Sequence, residues 1–279
     1  MRFVIFSSYG NDSCALIQWA AKEGLQDVTI VYSDTQWSAS WWMLRVERME
    51  KWAQSLGFKT DRTQSIGFKG LARQKKAFPS QMVQWCSGIL KIEPGERWLE
   101  ENDPDKRAVC LVGVRREEGE DRKSYPHFMA ASPSHGGRVL LAPMAEWDVA
   151  TRNSFLDMAG IKPLPHRSME CSPCINANRD DILVLADDEP RIAEIEELEE
   201  ELGINGPLTK NGKVRGAMFR PSLKMGATGI REVVEWAKAG RGNYKPKEIR
   251  EKMRDNELFG DDLREDLGEG GCPSGWCGS

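Results

Sequence analysis

Three separated groups of side chains in this sequence have the types and spacing to do chemistry. The stretch Ser7-Ser8-Tyr9-Gly10-Asn11-Asp12-Ser13 places hydroxyls, a glycine and a carboxylate between an apolar run, RFVIF, and a helix-like run, ALIQWAA. A tight turn opening a helix aims backbone N–H groups at one point, where the helix dipole is positive, and this suits a phosphate. Ser7, Ser8 and Ser13 add donors, Gly10 lets backbone approach closely, and Asp12 can cap the helix or face a Mg2+ that bridges phosphates. The common phosphate loops are excluded, because neither a GKS/GKT nor a GxGxxG pattern occurs there. An ordinary strand-to-helix turn is the plain reading of the same residues.

The second group is cationic. Arg115 and Arg122 follow the apolar run AVCLVGV, residues 108–114, and so stand where an open α/β sheet binds ligands. Guanidinium groups grip phosphate or sulfate bidentately, and Lys91 would add a point charge. The plain alternative is a pair of surface arginines neutralised by Glu117 and Glu118.

Cysteines form the third group. Cys171 and Cys174 stand in ECSPCINANRDDI as a C-x-x-C with a helix to follow, and Cys86 lies 85 residues earlier in QWCSGILK. A C-x-x-C alone fits a redox pair, half of a zinc site or part of an iron–sulfur site. Cys110, inside an apolar run, and Cys14 read as packed core thiols. Cys272 and Cys277 close the chain in GGCPSGWCGS, a glycine-rich stretch where packing does not account for them. His127, His135 and His166 fall in Pro/Ser/Gly loops without ligand spacing and are assigned nothing.

The elements that must position these groups alternate between strand and helix. RFVIF and VTIVYSD read as strands. Between them residues 12–23 form an amphipathic helix, and a second helix runs from an N-cap at Ser38 to Leu56, stopped by Gly57. AVCLVGV and RVLLAPM are continuous apolar runs suited to strands buried on both faces. Helices between strands favour a parallel sheet covered on both sides. The expected fold is therefore α/β, a doubly wound and mainly parallel sheet with a helical, cysteine-bearing C-terminal part. Residues 1–160 would form the nucleotide-binding domain and 161–279 the helical region.

Composition narrows the class. Hydrophobic residues make up 40% and charged residues 29% of the 279 positions. No apolar stretch reaches the roughly 18 residues that a membrane helix needs, and RFVIF is too short for a signal segment. The chain reads as cytoplasmic, and seven cysteines in that setting point to metal or redox chemistry rather than a disulfide framework. Two segments carry opposed charge. Residues 187–201 hold nine acids and one arginine, with Ile192, Ile195, Leu198 and Leu202 at helical spacing, and read as a solvated outer helix face. Residues 207–252 hold twelve Lys or Arg and four Glu; Lys210, Lys213, Arg215, Arg220 and Lys224 could contact nucleic-acid phosphates, or simply offset the acidic helix. Trp37, Trp41 and Trp42 cluster, and core or partner packing is their plainest role.

Several ordered stretches together carry a family resemblance. SYGNDS, residues 8–13, resembles the PP-loop pattern SGGxDS of the adenine-nucleotide alpha-hydrolase superfamily, with Tyr9 in place of the first glycine. YSDT, residues 32–35, resembles the strand end at which the phosphoadenylyl-sulfate (PAPS) reductase branch contacts the nucleoside. QWCSGILKIEP, residues 84–94, is similar to that branch's RWCC-to-KxEP segment. GVRREEGEDR, residues 113–122, is similar to GxRxxESxxR at Gly113, Arg115, Glu118 and Arg122, with Gly119 where serine is usual. APMAEWDVATRNSFL resembles the start of a further family helix. The resemblance spans residues 3 to about 180.

The resemblance implies a PP-loop fold and an adenine nucleotide, ATP or an adenylyl-sulfate, held by Ser7–Ser13, Asp34, Gly113, Arg115, Glu118 and Arg122. It implies a [4Fe–4S] cluster on Cys86, Cys171 and Cys174, with Ser87 where the cluster-bearing branch has a second cysteine. A fourth iron position would be open, or closed by Ser87, Cys272 or Cys277. The expected activity is cleavage of ATP between the α and β phosphates to adenylate an acceptor, followed by sulfur transfer, with Asp12, Ser13, Lys91, Cys272 and Cys277 in catalytic roles. The intact Asp12-Ser13 favours this over PAPS reduction, because the reductases hold no β,γ-phosphates and usually depart from that pair. Two alternatives stand beside it: a reductase of adenylyl-sulfate using a tail cysteine, and a non-catalytic nucleotide-binding iron–sulfur module. Implied partners are a nucleic-acid acceptor at residues 207–252 and a sulfur donor or thioredoxin-like reductant, with no membrane.

Overall fold

The apolar runs become the middle of a six-stranded sheet. The computed structural model describes residues 1–80, 83–203, 216–219 and 229–240; Cys272, Cys277 and most of the basic segment lie outside them. Strands β1 (Phe3–Phe6), β2 (Val28–Ser33), β3 (Lys59–Thr63), β4 (Val109–Leu111), β5 (Phe128–Ser132) and β6 (Arg138–Leu141) are arranged in the order β3-β2-β1-β4-β6-β5. All neighbouring pairs are parallel except β5 with β6. The chain leaves the centre in one direction through β2 and β3 and in the other through β4, so β1 and β4 flank the switch point.

Helices cover both faces. They are α1 (Asn11–Lys22), α2 (Trp42–Ser55), α3 (Phe68–Lys75), α4 (Trp85–Ser87), α5 (Glu93–Asn102), α6 (Val149–Met158), α7 (Arg179–Leu185), α8 (Glu189–Glu201) and α9 (Ile230–Lys238). Alternation along the strands divides the core. Ile5, Ile30 and Leu111 pack with Ile17, Val46 and Phe155 from α1, α2 and α6. Their neighbours Val4, Val31 and Cys110 point the other way, onto Trp98 and Leu99 of α5. A third apolar cluster joins Trp37, Phe68, Ile182, Ile195, Leu198 and Val233, from the loop after β2 and from α3, α7, α8 and α9. Cys14 and Cys110 are fully buried, as core thiols should be. Among the described residues no helix is long and apolar enough to cross a membrane.

Three expectations need correction. The second helix starts at Trp42, not Ser38. Residues 38–40 are occupied otherwise: Ala39 donates to the Met169 carbonyl at 2.9 Å, Ser40 donates to Asp188 Oδ2 at 3.0 Å, and the Arg191 guanidinium donates to the Ser38 carbonyl. Two edge strands, β3 and β5, and helices α3, α4 and α5 join the elements read from the sequence. The acidic run, finally, is not simply a solvated face. Lys69 pairs with Glu194, Arg73 with Glu201 at 2.8 Å, and Arg231 of the basic segment with Glu189 at 2.8 Å and Glu196 at 2.7 Å.

Glu199 on α8 is only 2% exposed, and its carboxylate accepts from Met218 N at 2.9 Å and Ile230 N at 2.8 Å. It thus satisfies an otherwise orphaned N–H at the start of α9. Burial pushes its pKa from the ordinary 4.5 up to about 7, against the two backbone donors. Between those two values the folded protein holds more protons than the unfolded chain, so stability falls as pH rises through that window and levels off above it. Thermal melts of wild type and Glu199→Gln from pH 5 to 8 should show this fall shallower in the variant. Parallel curves would mean that Glu199 does not titrate in this window.

Candidate functional site

After β1 the chain turns through Ser7–Gly10 into α1, for which Gly10 is the N-cap. Tyr9 has φ +56°, a left-handed conformation that costs an L-residue roughly 1–2 kcal/mol and that glycine adopts freely. The tyrosine is fully buried, its ring stacked on Tyr32 at 6.0 Å and its carbonyl accepting from Arg45 Nε at 2.8 Å. Hydroxyls shape the turn. Ser7 Oγ accepts from the Tyr9 N–H at 3.0 Å, Ser8 Oγ from the Gly10 N–H at 3.3 Å, and Ser13 Oγ donates to the Gly10 carbonyl at 3.3 Å. Gly10 is required by close approach, since a Cβ there would lie 2.9 Å from Ser168 Cβ. Asn11 ties the same crossing segment down: its Nδ2 donates to the Leu164 carbonyl at 3.0 Å and its Oδ1 accepts from Leu164 N at 2.8 Å.

Arginines gather at the first turn of α1. Arg115, 5% exposed, donates from Nε to Asp12 Oδ1 at 2.5 Å, and its Nη1 is buried without a hydrogen-bond acceptor. Arg152, from the first turn of α6, brings Nη1 to 3.8 Å from Asp12 Oδ2. Glu118 pairs with Arg122, stands 3.6 Å from Arg115 Nη2, and accepts weakly from the Arg115 N–H at 3.4 Å. The acid pairing of these arginines is therefore real, but Arg115 is not on the surface. Gly113 allows β4 to run close to α1: a Cβ on it would sit 3.4 Å from the Asp12 carbonyl. Asp34, at the carboxyl end of β2, accepts from the Gln36 N–H at 2.8 Å and so caps its own turn.

The loop after β2 is zipped to the cysteine loop. Thr35 Oγ1 donates to the Glu170 carbonyl at 2.9 Å, Ser172 N donates to the Trp37 carbonyl at 2.7 Å, and Trp37 bridges to Cys171 in parallel register. Cys86 arrives from α4, which leads through a π-helical turn, Gly88–Ile92, into α5. Pro94 lacks the N–H that would close the regular helical bond four residues back, which accounts for an irregular turn just there. That turn carries Lys91, whose Nζ reaches Glu170 Oε1 at 2.6 Å in a buried ion pair. Cys86, Cys171 and Cys174 all pack against the third apolar cluster. Burial first, and the Cys174 thiol second, push Cys86 up to about 12 and Cys171 well above the usual thiol range, while the Lys91 ammonium opposes both.

Three cysteines distant in sequence thus pack against one apolar cluster beyond the end of β2. Among the described residues no group of three or more His, Cys, Asp or Glu side chains is arranged to hold a metal ion. Asp12 in particular faces guanidiniums rather than further oxygen ligands, so its surroundings do not fit a Mg2+. Lys91, expected as a free point charge for an anion, is engaged by Glu170 instead. Cys272, Cys277, Lys210, Lys213, Arg215, Arg220 and Lys224 lie outside the described residues. Sequence reasoning missed Arg152, Glu170 and Arg45. Arg152 lies within AEWDVATRNSFL and Glu170 adjoins the C-x-x-C, whereas Arg45 interrupts an apolar stripe.

The phosphoadenosine phosphosulfate reductase domain family matches residues 2–171. An uncharacterised protein of Methanocaldococcus jannaschii is 29% identical over 119 residues, which cover 43% of this chain and only 24% of that protein. Among solved structures, a PAPS reductase from Candida auris, in a phosphate complex, aligns over 58% of this chain and 75% of its own, at 13% identity and a TM-score of 0.41. An FMN adenylyltransferase from Candida glabrata, in complex with ATP, aligns over 56% and 45%, at 13% identity and a TM-score of 0.35. With more than half of its residues matched in one continuous stretch, the chain belongs to the phosphoadenosine phosphosulfate reductase domain family.

Proposed function

We propose that this protein binds ATP at the β1/β4 switch point and cleaves it between the α and β phosphates, adenylating an acceptor for later sulfur transfer. The observation that carries this reading is the intact Asp12-Ser13 pair in the first turn of α1, set against the buried guanidinium of Arg115. An acceptor oxygen would attack the α-phosphorus, and pyrophosphate would leave with the bonding electron pair. The leaving group gathers charge, and guanidiniums fixed in a water-poor crevice stabilise it without having to reorganise. Arg115 Nη1 makes no hydrogen bond there, and the carboxylate facing it, Glu117 Oε2, stands off at 3.9 Å. Asp12 occupies the anion position beside Arg115, so phosphate binding is an exchange of one anion for another. Ser7, Ser8, Tyr9, Gly10 and Asn11 would shape the cradle, Asp34 would meet the nucleoside, and Arg122 with Glu118 would hold Arg115 in place.

The sulfur step is assigned to the cysteines. Cys86, Cys171 and Cys174 would hold a [4Fe–4S] cluster, which would supply a binding point for sulfur. What supports this is the packing of three thiols against one apolar cluster, next to the Lys91–Glu170 pair. Cys272 and Cys277 are proposed as sulfur carriers, and residues 207–252 as a contact for a nucleic-acid acceptor. In that segment Arg231 and Lys238 are already paired with glutamates. Reduction of an adenylyl-sulfate by a tail cysteine is the rival reading, and membership of the reductase-domain family favours it.

Two experiments divide these readings. Arg115→Lys should keep the Asp12 pair and the fold, yet lack the planar fork that grips a phosphate. Pyrophosphate release from ATP should then slow by about tenfold to a hundredfold, the worth of one charged hydrogen bond. Unchanged release in a folded variant would remove Arg115 from the site, and sulfite release from PAPS with no pyrophosphate from ATP would install the rival. Purified without oxygen, the protein should contain iron and sulfide, and Cys86→Ala, Cys171→Ala and Cys174→Ala should each lose them. Zinc in place of iron, or iron retained in all three variants, would refute the cluster.

A further inference from the structure

Helix α2 buries Trp42, Arg45, Val46, Met49 and Ala53, an apolar stripe at helical spacing with one cation in it. Arg45 is 8% exposed. Among the described residues no carboxylate oxygen comes within the 4.0 Å of an ion pair with it. Its contacts are the Tyr9 carbonyl, at 2.8 Å from Nε, the Cys14 sulfur, at 3.9 Å from Nη2, and the Trp42 ring, 5.5 Å from its guanidinium carbon. Burying a charge without a counter-ion is unfavourable, and proteins rarely keep such a residue unless something compensates it. A departure from local patterning of this kind is expected at functional positions.

The compensation lies in the phosphate loop. Tyr9 stands where the resembled motif has glycine, and it is held at φ +56° against its own preference. The bond from Arg45 to the Tyr9 carbonyl fixes the orientation of the Tyr9–Gly10 peptide, and it does so from the side of the loop that faces the core. The same guanidinium puts a full positive charge behind the loop, in surroundings of low dielectric where its field reaches the phosphate position with little screening.

We propose that Arg45 is a positioning residue for the phosphate loop: it clamps Tyr9 in the left-handed conformation and biases the loop toward polyanionic ligands such as a nucleoside triphosphate. The inference rests on the reading of this turn as a nucleotide site. It makes Arg45 the counterpart of the Tyr9 replacement, one residue holding the strained turn that the other creates.

The test is a binding series on the full chain with ATP and with adenosine, in wild type, Arg45→Met, Tyr9→Gly and the double variant. Methionine suits an apolar stripe but leaves the Tyr9 carbonyl without its donor, so the ligand-free melting temperature of Arg45→Met should fall modestly, and binding is compared on protein shown to be folded. Its ATP affinity should drop by roughly tenfold to a hundredfold, as expected for loss of a charged hydrogen bond, with adenosine affinity changing far less. In the Tyr9→Gly background the same substitution should cost clearly less than in wild type, because glycine adopts the turn without strain and only the loss of the charge remains. ATP affinity within twofold of wild type in Arg45→Met would overturn the proposal, as would equal losses for ATP and adenosine. If Arg45→Met does not fold, a double variant that folds and binds ATP supports the clamp, and one that also fails to fold makes Arg45 a structural residue only. Wild-type protein that binds no ATP would overturn the nucleotide reading itself, a result distinct from any of these.

Discussion

A carboxylate and a guanidinium buried together at the centre of the sheet, Asp12 and Arg115, constrain how everything around them is built. Two charges removed from water in this way contribute little net stability, and an apolar pair of similar volume would hold α1 to β4 at least as well. Stability alone does not account for charge at this point, and the surroundings are arranged to keep it. Gly113 lets the strand run close enough for the pair to form, Glu118 holds Arg115 from behind, and Arg152 adds a second guanidinium from α6. The pair lies at the one place in the sheet where the two halves of the chain diverge, and the proposed exchange of Asp12 for a phosphate is a direct use of it.

The cysteines depend on a different kind of constraint. Nothing in β1–β4 brings Cys86 to Cys171; loops do. Hydrogen bonds between residues 35–39 and 169–172 register the cysteine loop against the end of β2, and the buried Lys91–Glu170 pair fastens the helical segment that carries Cys86 to that same loop. The segment that crosses the Ser7–Gly10 turn, through Leu164 and Ser168, belongs to the same connection. The Ser7–Gly10 turn and the thiols are in this way joined, and the helices beyond them bury their apolar faces against Trp37 and Phe68.

The sequence made the centre of this fold legible because parallel strands covered on both faces must be continuously apolar, and RFVIF, VTIVYS and AVCLVGV are. It left the edges unreadable for the matching reason. Lys59–Thr63 is polar and mostly exposed, and Phe128–Ser132 forms the antiparallel edge. The turn at Ser7–Gly10 and the approach of Cys86 to the C-x-x-C were visible through ordered motifs. Arg45 and Glu170 were not, since a charge in an apolar stripe or beside a cysteine has no meaning until the partner it meets across the fold is known. The N-cap expected at Ser38 failed on similar grounds, because tertiary bonds to Met169 and Asp188 took the backbone that a longer helix would have used.

Hydrogen exchange with and without saturating ATP addresses the placement of the nucleotide most directly. Binding at the switch point should slow exchange at the amides of residues 8–14 and 113–118 together, because both line the same crevice from neighbouring strands, and leave the far edge at β5 unchanged. ATP that protects neither segment, or protects only amides distant from the β1 and β4 ends, would contradict a nucleotide site built on Asp12 and Arg115.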